Sequence, residues 1–314
     1  MSSADHGLDA APAAGTNDLN GLQRLLVAVD DSDAAGAAAS FAFRLAGTAG
    51  TEVTLLHACP DLRSAEHAPP MADPTAFRAA AEHRLAETAE WRRRLLNLEE
   101  YAAPGARVRS WVVRGRAAAA VLEAATELDI DVILIGSRGL GSIAGRLLGS
   151  VSSHVVDHAR CSVMVFPARR EISPAHVASV IVGVDGAASS PAAVAAGTAL
   201  ATALGARLVL LAALEGAPTL ASAALELHAE PRREAQSALS VARASVTADI
   251  EVVEELQQGP PRELLIAASE RFGPSVLVVG APELGGFASL LLGSTSRWIL
   301  HHAPCPVLIT RSRP

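Results

Sequence analysis

Lysine is missing from this sequence: all 26 basic side chains among its 314 residues are arginines. No Walker-type phosphate lysine, Schiff-base lysine or pyridoxal-phosphate lysine is therefore possible. Cysteine is scarce. Cys59, Cys161 and Cys305 are too few for a disulfide framework or a paired metal knuckle, and a reducing cytoplasm is the setting expected. Aromatic residues make up 3% of the chain, so Ala and Leu must supply most of the packing. No uninterrupted apolar run approaches the ~20 residues that span a bilayer. The opening MSSADHGLDAAPAAGTNDLN lacks the basic and apolar regions of a signal peptide and is expected to be a disordered tail. Positive charge is not in excess either. A net charge of −7 gives no electrostatic reason to expect nucleic acid or a membrane surface as partner.

What the chain does contain, it contains twice. DVILIGSRGLGSIAGRLLGSVSSHVVDHARCSVMVF, at the end of the first half, parallels SVLVVGAPELGGFASLLLGSTSRWILHHAPCPVLIT at the end of the second. Gly136 falls on Gly280, Gly149 on Gly293, Ser150 on Ser294, Ser152 on Ser296 and Cys161 on Cys305, at a constant offset of 144 residues. The openings match as well, RLLVAVDDSDAAG over SVIVGVDGAASSP, with Asp30 over Asp185. A unit this long is a duplicated domain and not a solenoid repeat of roughly 20–50 residues. The expected division is a tail over 1–20, a first domain over 21–168, a linker over 169–178 and a second domain over 179–314.

Within each copy, short β-rich runs alternate with Ala-rich helical stretches. Strands are expected over 24–29, 52–57, 107–113, 131–135 and 162–166, and again over 179–184, 207–212, 250–255, 276–279 and 306–310. Several are continuously apolar, as parallel strands covered on both faces must be. The alternation predicts an α/β fold of two tandem doubly wound domains, each with a five-stranded, mostly parallel sheet.

In such a sheet, ligands sit beyond the carboxyl ends of the strands. Asp30 ends the first strand there, and Gly136 ends the fourth. The stretch that follows, GSRGLGSIAGRLLGSVSS, carries little side chain, which permits φ > 0 and lets main-chain N–H groups turn toward an anion. Ser150 and Ser152 open the next helix, whose unpaired N–H groups and dipole favour negative charge. A turn and a helix cap call for the same residue types, and that plainer reading stands beside the first.

The fixed spacing of Gly136, Gly139 and Gly149–Ser150 resembles the G-x2-G-x9-G-[S/T] signature of ATP-binding universal stress proteins. The VAVD opening, the LLH of the second strand and the LLGSVS close are similar too, so the resemblance covers nearly the whole chain as two copies. It implies a Rossmann-like, adenine nucleotide alpha hydrolase-like fold. It also implies that Asp30 bonds the adenine or ribose side of ATP, with Ala28 among the binding positions, and that Ala58 lines the adenine pocket. Ile135 and Gly136 would approach base and ribose, while Gly139, Gly149, Ser150, Val151 and Ser152 would contact the phosphates. Mg²⁺ would accompany the triphosphate, although no carboxylates to hold it are identifiable. Arg138, inside the glycine stretch, is the arginine placed to face phosphate charge, an exposed surface arginine being the alternative.

The second copy departs from this pattern. Glu283 stands for Gly139 and Pro282 for Arg138, adding a negative charge and removing an N–H donor. Asp185, Gly280, Gly293, Ser294 and Ser296 remain, so ATP is expected mainly in the first domain. Elsewhere the chemistry is thin. His154, His158, His301 and His302 have no recurring metal-ligand partners, and WRRRLL over 91–96 reads as a solvated face. The resemblance implies a regulatory, non-enzymatic binding module, with the two copies paired through last-strand edges as a pseudo-dimer and with homo-oligomers beyond that. An ATP hydrolase or adenylating enzyme would need a Ser/Gly-rich phosphate loop after the first strand, where this chain has the acidic VDDSDAAG. A structural stress protein with empty pockets is the third alternative.

Overall fold

The computed structural model describes residues 22–59, 74–137, 148–168, 177–215, 229–281 and 292–311. The first half runs β1 (Arg24–Ala28), α1 (Asp33–Ala49), β2 (Glu52–Cys59), α2 (Pro74–Glu99), β3 (Arg107–Arg114), α3 (Ala117–Glu127), β4 (Val132–Gly136), α4 (Ser150–His158) and β5 (Ser162–Phe166). The second runs β6 (Ser179–Gly183), α5 (Ser190–Leu204), β7 (Arg207–Leu214), α6 (Ala229–Ser245), β8 (Val252–Gln258), α7 (Pro261–Arg271), β9 (Ser275–Gly280), α8 (Ser294–His302) and β10 (Val307–Thr310).

The expected two five-stranded sheets are continuous. One ten-stranded sheet has the order β3-β2-β1-β4-β5-β10-β9-β6-β7-β8, parallel within each half and antiparallel only where β5 meets β10. The register at that seam pairs Val163 with Ile309, Met164 with Leu308 and Val165 with Val307. Under the 144-residue offset the outer two pairs exchange and the middle pair maps onto itself. A pseudo-twofold axis therefore passes through Met164–Leu308. The edge that would otherwise lie open in each half is satisfied by the other.

Helices cover both faces. One apolar layer joins α1, α2, α5 and α6 to the sheet through Phe41, Leu45, Leu95, Leu200 and Leu239. The other joins α3, α4, α7 and α8 through Val121, Val155, Leu265 and Ile299. Both layers run across the seam, so the halves share their cores. The strand starts are held differently in the two halves. Buried Asp131 accepts from the N–H groups of Gln23 and Arg24 at 2.9 and 2.8 Å, whereas the Pro274 carbonyl takes those of Ala178 and Ser179. No helix among the described residues is long and apolar enough to cross a membrane.

Candidate functional site

At the carboxyl edge of the first half, β1 ends on Ala28 and the chain turns through Val29 and Asp30 into α1. One Asp30 oxygen accepts from the Ser32 N–H at 3.0 Å and its hydroxyl at 2.5 Å, and the Ser32 oxygen caps the Ala35 N–H. This fixes the carboxylate beside the first turn of α1. Ala28 lies next to Ile135 of β4, and Ala58 next to Val113 of β3. Both alanines are half-buried, and they pack with Trp111, Val113, Leu148 and Val151 against the same apolar layer. Ile135 is buried in the core, so only its main chain reaches this edge.

Gly136 plays a different part from the one its sequence context suggested. Its φ is not positive; a Cβ there would meet Ala34 Cβ at 2.9 Å and Ala35 N at 3.2 Å. The glycine lets the first turn of α1 press onto the end of β4, which draws the Asp30 and Gly136 junctions together. Gly280 does the same in the second half, where a Cβ would fall 2.7 Å from Ser189 Cβ.

Beyond Gly136, the Ser137 carbonyl accepts from the Gly149 N–H at 2.7 Å and the Ser152 hydroxyl at 3.0 Å. Ser152 is buried, and its hydroxyl proton is committed to main chain, so its side chain is structural. The first helical bond of α4 runs from the Ser153 N–H to the Gly149 carbonyl. Helix geometry therefore leaves the N–H groups of Ser150, Val151 and Ser152 without an intrahelical acceptor. Ser150 is exposed and Val151 half-buried. Arg138 and Gly139 lie outside the described residues, as do Pro282 and Glu283.

Sequence reasoning missed the support behind Asp30. His57 donates from Nδ1 to the Val29 carbonyl at 2.7 Å and stacks on Trp91 with 3.5 Å between centroids. Arg94 lies over Trp91 and bonds Asp31 and Glu90. WRRRLL is thus no plain solvated face: Trp91 and the buried Leu95 pin α2 to the β1–α1 turn. The signal was there in a Trp and a Leu four residues apart on one helix.

Burial holds His57 below its ordinary value, against the Val29 carbonyl and the Asp30, Glu87 and Asp31 charges, which favour the cation. A histidine that takes up a proton less readily when folded contributes stability above its unfolded pKa of about 6.5. That contribution is lost as pH falls below this value. Urea midpoints at pH 7.5 and 5.5 should therefore show a smaller acid loss in His57→Gln, which keeps a donor for Val29, than in the wild type. An equal loss in both would remove His57 from the acid response.

A sequence profile of the Universal stress protein family matches residues 21–167 and 177–311. The chain belongs to the universal stress protein family. Universal stress protein Rv2623 of Mycobacterium tuberculosis is 29% identical over 299 residues, which cover 91% of this chain and 96% of that one. Universal stress protein Rv2005c of the same organism is 31% identical over 188 residues, 58% of this chain and 62% of that protein, so the match spans about three fifths of that relative. Among solved structures, a universal stress protein from Archaeoglobus fulgidus superposes with a TM-score of 0.65 at 18% identity, covering 93% of this chain and 99% of that one. That likeness supports the fold.

The second universal stress domain has a different edge. Gly115 and Gly259 mark equivalent points, with φ of 143° and 140° and N–H groups bonded to the Cys59 and Leu214 carbonyls. Counting back from them, Glu255 and Gln257 stand where the first half has Trp111 and Val113. Gln257 donates to Glu255 at 2.9 Å, and Arg271 pairs with it at 2.8 Å. The Gln257 amide, with Arg271 behind it, holds the Glu255 carboxyl below its usual range. Gly183 replaces Ala28, and Leu265 Cδ1 lies 3.3 Å from the point a Cβ would occupy. Asp185 makes the same turn as Asp30, accepting from the Ala187 N–H, with the Ser190 hydroxyl in place of that of Ser32. Ser296 is buried and donates to the Gly280 carbonyl, while Gly293 caps α8 and Ser294 opens it.

Proposed function

We propose that this universal stress protein binds one ATP in its first half and acts as a regulator, through its surface and assembly and not through a product. The observation that carries the reading is the close approach at Gly136. It packs the first turn of α1, just after Asp30, onto the end of β4, and the cap of α4 is bonded to Ser137 one residue beyond; three N–H groups of that α4 turn have no helical acceptor. Such a turn favours phosphate. The small Ala28 and Ala58, with Val113 and Trp111 beside them, suit the apolar face of a base. Gly139 and Arg138 complete the phosphate side in this proposal. Among the described residues, no group of three or more His, Cys, Asp or Glu is placed to hold a metal. Mg²⁺ would enter on the triphosphate, supplying charge neutralisation there.

The second half, with Asp185, Gly280, Gly293, Ser294 and Ser296, is the weaker site. The Glu255–Gln257–Arg271 group offers hydrogen-bonding and charged atoms where the first half offers apolar surface, and an adenine face gains nothing from them. Calorimetric titration with ATP and Mg²⁺ should give a stoichiometry near one. Ser294→Pro, which removes one N–H from the first turn of α8, should leave the affinity unchanged. Two equivalent tight sites would overturn the assignment to the first half.

A further inference from the structure

The pseudo-twofold axis relates two clefts beside the seam, and they are filled differently. Arg311 follows β10 and crosses to α4. Its N–H bonds Ser162 Oγ at 3.2 Å, and its guanidinium Nη2 lies 2.8 Å from the Val156 carbonyl in the last turn of that helix. Burial disfavours its charge, and the Asp157 carboxylate nearby offsets part of that cost. By the repeat offset, Pro167 follows β5 as Arg311 follows β10, and Leu300 of α8 corresponds to Val156. Proline cannot make the crossing. In its place is a cavity of about 360 Å³ lined in part by Val165, Pro167, Leu300, His301, His302 and Val307.

One wall of this cavity is the carboxyl end of α8. Ala303 caps Ile299, so the carbonyls of Leu300, His301 and His302 at the end of α8 have no helical donor. They form the negative end of the helix dipole. His302 is turned back on its own helix, donating from Nδ1 to the Trp298 carbonyl and stacking on the Trp298 ring. His301 stands where the mate has Asp157. Burial and the charges of His302 and Arg297 hold it below its ordinary value, as a neutral imidazole able to accept. Val165, Pro167 and Val307 supply the apolar surface that a methylene stem needs.

We propose that this cavity binds an alkylguanidinium group, taking from a ligand what Arg311 supplies to the opposite cleft. The carbonyl end of α8 and the His301 imidazole receive the planar N–H fork, and the apolar wall receives the stem. Ser137, whose carbonyl holds Gly149 and Ser152, also lines this cavity, so it adjoins the proposed ATP site without sharing a residue assigned to ATP.

The full-length protein, free of nucleotide, is titrated with agmatine and separately with a capped Gly-Arg-Gly peptide. Binding of either at one site per chain is expected. Tighter agmatine assigns the site to a free small molecule, and tighter peptide assigns it to an arginine presented by another protein. Pro167→Arg, which supplies the side chain of the mate, should abolish binding and raise Tm. If that variant does not fold, Ala168→Trp at the exposed rim of the cavity should weaken agmatine at least about tenfold. His301→Asp, restoring the carboxylate of the mate, should strengthen agmatine about tenfold, as a charge-assisted bond does. Neither probe binding the wild type would overturn the proposal, as would Pro167→Arg or Ala168→Trp binding agmatine as the wild type does.

Discussion

Ser150→Pro is expected to lower ATP affinity by about ten- to a hundredfold while leaving Tm nearly unchanged. Ser150 is the first residue of α4, with Gly149 as its cap. Proline is well tolerated at that helical position because its missing N–H has no intrahelical partner to lose. The residue before a proline must be extended, and Gly149 already has φ −74° and ψ 164°. The folded chain therefore has little reason to notice the change. A bound phosphate would lose one donor, and a hydrogen bond to a charged partner is worth about 1.5–3 kcal/mol. Ser150→Ala separates the two parts of the residue, removing the exposed hydroxyl and keeping the N–H. If the alanine variant loses as much as the proline variant, the hydroxyl is the contact. If neither loses affinity, ATP does not sit on this turn.

The chain order of strands and helices was legible because each continuously apolar run had room for one buried strand. The Ala-rich stretches between them carried helical periodicity. Where apolar pattern failed, so did the boundary. β8 was expected over 250–255 and lies at Val252–Gln258, its end written in Glu, Gln and Gln at a half-exposed sheet edge. The seam was foreshadowed by the apolar SVMVF and PVLIT, but that both cores would run across it depends on long-range packing that no local pattern encodes.

The candidate site was legible in outline and less so in its causes. Gly136 and Gly149 announced themselves by spacing, yet neither adopts positive φ. One is small to admit a helix and the other caps one. Ser152 looked like a donor to ligand, and it bonds the Ser137 carbonyl fifteen residues back, a contact that exists only once the junction has folded. The 144-residue offset already sets Glu255 and Gln257 against Trp111 and Val113, and the shared bend at Gly115 and Gly259 bears that alignment out.

Gly136→Val should be the most damaging single change at this site, costing about 3 kcal/mol or more of folding stability. A Cβ at this position would lie 2.9 Å from Ala34 Cβ, 3.2 Å from Ala35 N and 3.3 Å from Ala34 C. Two of these three are backbone atoms of a helix whose apolar face is buried, so no rotamer change relieves them. Forcing extra volume into a packed interior typically costs about 1–3 kcal/mol, and a β-branched side chain adds two more methyl groups to the first contact. Moving α1 outward to make room would also carry the Asp30–Ser32 turn away from the end of β4, so ATP affinity should fall along with the urea midpoint. Gly136→Ala should show the same losses at smaller size. Ala34→Gly removes the nearest of the three contacts, and in the double variant with Gly136→Ala it should recover part of the lost stability beyond what additivity allows. The backbone contact at Ala35 would remain, so recovery should be incomplete. If the two changes simply add, the close approach of helix to strand is not what requires glycine here. The drawing-together of the two junctions would then need another cause.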